Sequence, residues 1–198
     1  MQSNSWQKCL LAIALMASMI TTACSTQWIS VALADLPVLT EMALNIASLV
    51  TALQTAQELN SAEAAAIQNL SAEAGRDLNL LQTLYNQYKA NPDAATLQKI
   101  QNAIATINQN LPALLQAAHI SNAALANRVT AAVNLILTTV DSFAALIPNS
   151  AAAAARAAAH AKLSVPSAKE LKQQWNQQVC APTGNATLDA AFAGCVIR

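Results

Sequence analysis

The chain has 198 residues, enough for one domain with a buried core; 55% are hydrophobic, 4% aromatic and 10% charged, and the formal net charge is zero. With no basic excess to neutralise phosphates and no strong field to steer a charged substrate, the balance argues against nucleic acid as a partner. Three glycines and six prolines among abundant Ala and Leu predict long helices, with Asn and Gln supplying the polarity, as in residues 100–110.

The chain opens on a short polar stretch with one cation, Lys8. An apolar run from Cys9 to Ile20 follows, and then the small and polar residues Thr21 to Thr26. This is the layout of a secretory signal, and the apolar run is shorter than the roughly 20 residues a membrane span needs. Two cleavage sites compete. Thr21-Thr22-Ala23-Cys24 resembles the lipobox of bacterial lipoproteins, in which small residues precede an obligatory cysteine; Thr21 stands where Leu, Val or Ile is usual. The resemblance covers about the first 25 residues, the span of an export signal, and does not extend to the mature domain. It implies cleavage before Cys24, a diacylglycerol on its sulfur, and a membrane partner reached through that anchor. It also implies a cell-envelope location facing the periplasm, with Ser25 favouring the outer membrane. The rival is Ala32-Leu33-Ala34, which would release a soluble secreted or periplasmic chain starting at Asp35. Residues 1–23 are thus expected to be a signal peptide and 24–35 a lipidated tether. Trp28 in that tether is expected either at the membrane interface or packed on the end of the domain.

From Leu36 the apolar residues step by three and four. Leu36, Leu39, Ala43, Ile46, Val50 and Leu53 form a first stripe. Ile67, Leu70, Ala74, Leu81, Leu84 and Tyr88 form a second, with Asp77 or Leu78 at the missing step. Leu97 to Ala118 and Leu125 to Ile147 give two more. The spacing predicts helices near 36–57, 61–90, 92–118 and 121–147. Predicted caps are Asn60 or Ser61, then Asn91 with Pro92, then Ser121. Short connections make neighbours antiparallel, so the expected fold is all-α: an up-down four-helix bundle over residues 36–148 with additional C-terminal helices. Pro112 is expected to kink the third helix or split it near Asn110, and Gly75 to weaken the second.

Residues 149–198 are expected to hold an alanine-rich helix, a short helix and a closed loop. Ser167 and Glu170 form a capping box for the short helix, which Trp175 docks. The fourth bundle helix is apolar around much of its circumference and needs the C-terminal helices, or a protein partner, to cover it. Cys180 and Cys195 read as one disulfide, because C-x-x-C pairs and nearby histidines are missing and the chain is exported. No metal site and no cofactor are expected. His119, at a helix end, and His160, in the alanine run, have no ligand at helical spacing. Asp77 and Asp141 are expected to lie at the edge of a stripe or to pair with Arg76 or Arg128 rather than catalyse. Without a nucleophile, phosphate loop or acid–base constellation, an enzyme is not expected. The chain reads as a structural or protein-interaction module of the envelope; the alternative is a carrier of a small apolar ligand within the bundle.

Overall fold

The computed structural model describes residues 27–55, 60–147, 165–184 and 186–198. The signal segment, Cys24, the alanine run with His160, and Leu53's side chain lie outside that description. Among the described residues the regular elements are all helical: α1 Gln27–Thr55, α2 Ser61–Ala90, α3 Ala94–Ala117, α4 Ala123–Leu146, α5 Ala168–Gln178 and α6 Ala186–Phe192, with a 3₁₀ turn at Ala193–Cys195.

Helices α1 to α4 pack in a ring, each against its neighbours in sequence and α4 back against α1. The stripes read from the sequence are the core. Leu36, Leu39, Ala43, Ile46 and Val50 of α1 are buried, as are Ile67, Leu70, Ala74, Leu81 and Leu84 of α2 and every stripe member of α4 from Leu125 to Ile147. Each fully buried Leu or Ile contributes about 1.5–3 kcal/mol relative to exposure, so the interlocked stripes outweigh the weak local signals. Leu78, not Asp77, fills the open step of α2. The Ser71 hydroxyl ties α2 to α1 by donating to the Ala43 carbonyl at 2.6 Å.

Four local expectations are corrected. α1 begins at Gln27, nine residues before Leu36, and runs on through Pro37; the stretch expected as a tether is helical from Gln27 onward. Burial of Trp28, Ile29 and Ala32 compensates the backbone hydrogen bond that Pro37 cannot make. α3 is capped by Asp93, whose carboxylate accepts the Thr96 N–H at 2.8 Å, while Asn91 closes α2. α3 also continues unbroken through Pro112, with no split at Asn110. α4 is capped by Asn122, not Ser121.

Ser121 does something else. Asn60 and Glu63 form the capping box of α2, and the second oxygen of Glu63 accepts the Ser121 N–H at 2.8 Å. One carboxylate therefore caps a helix and holds the α3–α4 turn. The Ser121 hydroxyl and N–H keep it below the ordinary carboxylate range. In that turn His119 takes the left-handed conformation, φ 44°, just past the end of α3.

α5 lies against α1 and α4 and covers the outer apolar face of α4, while α6 and the 3₁₀ turn pack on α1. The Ser167–Glu170 capping box opens α5 as the sequence predicts. Trp175 is fully buried and its indole N–H donates to the Cys195 carbonyl at 2.8 Å, so the short helix and the closed loop dock together.

Candidate functional site

The end of the bundle where α1 begins is aromatic. Trp28 stands edge-on to Tyr85 (centroids 5.5 Å apart) and near Tyr88 (5.9 Å), and Tyr85 stands edge-on to Phe143 (6.4 Å). Such pairs contribute about 0.5–1.5 kcal/mol beyond their burial. The contacts join the start of α1 to the ends of α2 and α4, which fixes the antiparallel arrangement. Trp28 is only 7% exposed, so its ring belongs to the packed end of the domain, not to a surface facing lipid. The Trp28 Nε1 and the Tyr85 hydroxyl are both buried without a hydrogen-bond partner. Burial pushes the Tyr85 phenol well above its ordinary value.

At the other end of α5, Cys180 and Cys195 are joined by a disulfide, S–S 2.03 Å. The loop they close turns at Gly184, φ 83°, where Asp189 accepts the N–H groups of Thr183 (2.5 Å) and Gly184 (3.2 Å). Arg128 of α4 reaches into this loop. Its guanidinium donates to the carbonyl of Val179 and, at 2.6 Å, to that of Ala181, and its Cζ lies 4.3 Å from the Phe192 ring centroid. A cation is favoured there because Val179 ends α5 and the helix dipole leaves partial negative charge on its last carbonyls. The pairing of Arg128 with Asp77 or Asp141 expected from sequence is therefore replaced by a clasp on backbone oxygens.

A second polar group sits between helices. Asp35 of α1 is 3% exposed and accepts the backbone N–H of Ala168, the first residue of α5. Burial pushes its carboxyl up to about 6 against the lowering effect of that N–H, and the charge of Glu170 adds to the rise. Neither Asp35 nor Arg128 was singled out as a site in the sequence. The available signal was a charged residue alone in an apolar helical face, which demands a partner when buried.

The remaining candidates separate. Arg76 pairs with Glu73 at 3.0 Å, not with Asp77. Asp77 is raised by burial and by Glu73, and one of its oxygens is buried without a partner. Asp141 accepts the Asn108 amide at 2.6 Å, joining α3 to α4. His119 is exposed in its turn. The two carboxyls are not brought together with each other or with His119, so no acid–base pair forms from them. Among the described residues no three His, Cys, Asp or Glu side chains gather closely enough to hold a metal ion.

A groove of about 690 Å³ runs along the outer face of α5, lined by Lys169, Lys172 and Arg198 with neighbouring amides. Smaller grooves lie between α4 and α5, beside Thr139 and Glu170, and at the α3–α4 turn beside His119. Among the described residues two segments, Trp28–Thr51 and Ala123–Leu146, are long and apolar enough to cross a membrane by length and composition; about half of each is buried against other helices.

Compared with known proteins, the chain matches no family model, no curated protein and no solved structure.

Proposed function

We propose that this chain is a non-enzymatic, lipid-anchored helical bundle of the bacterial cell envelope, attached through Cys24, facing the periplasm from the outer membrane, and acting as a structural or protein-interaction module. The observation that carries this is the start of α1. Cleavage after Ala34 would remove Trp28, Ile29 and Ala32 from the core, whereas cleavage before Cys24 leaves the whole helix in place. Of the two candidate sites, only the lipobox keeps the bundle complete.

Gln27 lies three positions beyond Cys24, a reach of about 10 Å at full extension. An acylated Cys24 therefore holds the aromatic end of the bundle close to the bilayer, with the long axis free to project from it. Lipid on the sulfur and on the new amino end provides the multiple chains that stable anchoring requires. The core positions along the axis are filled by Leu, Ile, Val and Ala from facing helices, which favours an outer interaction surface over an internal apolar ligand.

Metabolic labelling with a palmitate analogue, followed by detergent phase partition, tests the anchor. The wild-type chain is expected to carry label and enter the detergent phase; Cys24→Ser is expected to lose both. Equal partition of the two chains with no label would overturn the proposal.

A further inference from the structure

The chain is sparsely charged, yet three of its cations converge on one groove. Lys169 and Lys172 project from the outer face of α5, and Arg198 joins them from the segment that follows the 3₁₀ turn. The convergence is built. The Asn176 side chain donates to the Ile197 carbonyl at 2.9 Å and accepts the Ile197 N–H at 3.0 Å, and the Lys172 ammonium donates to the backbone oxygen of Arg198. Ile197 and Arg198 are thereby strapped along α5, and Arg198 lines the groove. No acidic side chain lines it. The nearest in sequence, Glu170, is engaged by the N–H and hydroxyl of Ser167.

We propose that this groove docks an extended acidic segment of a partner protein. The proposal rests on the reading of the chain as an interaction module and names the chemistry of its partner. Two features select a peptide. Asn176 already holds one extended strand by pairing with both the N–H and the C=O of a single residue, and Gln173 and Gln177 present the same amide chemistry to a second strand. Lys172 is engaged by the main-chain oxygen of Arg198, so Lys169 and the Arg198 guanidinium supply the complement to carboxylates, and the long stems of all three give the groove apolar walls. Position argues against a lipid surface. α5 starts level with Asp35, eight residues along α1 and so about 12 Å from its first turn, and ends at Arg128 near the opposite end of the bundle. The groove thus lies on the flank, away from the anchored end.

The test uses full-length protein in a neutral detergent and a fluorescein-labelled twelve-residue peptide of Asp, Glu and Ser, with an Asn, Gln and Ser peptide as control. Fluorescence anisotropy is expected to show saturable binding of the acidic peptide alone, weakened at least tenfold between 50 and 300 mM salt. Lys169→Glu with Lys172→Gln is expected to weaken it at least tenfold again. Lys89→Glu with Lys99→Glu, an equal or larger charge change outside the groove, is expected to leave it within twofold. Equal binding of both peptides, loss only in the Lys89/Lys99 variant, or binding to phosphatidylglycerol vesicles without peptide binding would each overturn the proposal. Because detergent partition reads the anchor separately, failure here is distinguishable from failure of the Cys24 assignment.

Discussion

Arg128 and Cys180 are linked through the backbone: the guanidinium on α4 holds the carbonyls of Val179 and Ala181, the residues on either side of the cysteine. The cystine shortens the unfolded chain by closing a 15-residue separation, worth on the order of 3 kcal/mol in the chain-entropy model. The arginine decides where the closed loop sits. Arg128→Met leaves both carbonyls without this donor and is expected to cost about 2–3 kcal/mol. Arg128→Lys, which has no planar fork, is expected to lose part of that. Thermal unfolding followed by near-UV circular dichroism of the buried aromatic side chains measures both. An Arg128→Met chain as stable as wild type would show that the clasp is incidental.

Asp35 gives stability a specific pH dependence. Its folded value is raised from 3.8 to about 6, so the folded state binds the proton more tightly than the unfolded chain. Its contribution is fully present below about pH 4 and is lost as pH rises through about 6. Asp35→Asn keeps an oxygen for the Ala168 N–H and removes the charge. It is expected to be more stable than wild type at pH 7 by about 1–2 kcal/mol, after allowing for solvent screening of the shift. The gap should close between about pH 6 and pH 4. Glu63, Asp93, Glu170 and Asp189 are shifted the other way by their hydrogen bonds, so they lose stabilisation only as pH falls through the acid range below. Urea titrations at pH 4, 5, 6 and 7 separate the two windows. A constant gap across them would contradict the role given to Asp35.

The aromatic end distinguishes packing from polarity. Trp28→Ala is expected to cost about 3 kcal/mol through the cavity it leaves. Tyr85→Phe removes a buried hydroxyl that has no partner and is expected to gain up to about 1 kcal/mol. Both are read as shifts in unfolding midpoint. If Trp28→Ala instead altered detergent partition without lowering the midpoint, the ring would be acting on lipid rather than in the core.

Two backbone positions are open to improvement. A Cβ at Gly75 would meet only the Leu44 Cδ2, at 3.4 Å, the end of an exposed and flexible side chain. Gly75→Ala is therefore expected to stabilise by about 0.5–1 kcal/mol. At His119 the left-handed backbone favours glycine, and His119→Gly is expected to gain about 1 kcal/mol. A loss of stability in Gly75→Ala would mean that α1 and α2 need the closer approach; a loss in His119→Gly would mean that the imidazole stabilises the turn.

Much of the bundle was legible because its signals are local. A stripe such as Leu125, Val129, Ala132, Ile136 and Val140 declares a helix face by spacing alone, and all five are buried. The Ser167–Glu170 box needs only residues three apart. The nine residues before Leu36 were not legible. Pro37 suits the first turn of a helix and draws a boundary there, whereas the true start depends on Trp28 finding Tyr85 some 57 positions away. The role of Ser121 is hidden from the sequence for the same reason. Its sequence suits a cap, but the Glu63 carboxylate takes its N–H across the top of the bundle.

By itself the sequence determined the all-α class, the four stripes and the pairing of Cys180 with Cys195, since each depends on composition, short-range spacing or a process of elimination among few cysteines. Only the tertiary structure decided that Trp28 is a core residue, that Arg128 clasps the cystine loop, that Asp35 meets the start of α5, and that Lys169, Lys172 and Arg198 share a groove. Those relationships join residues far apart along the chain, and packing rather than local propensity sets their distances.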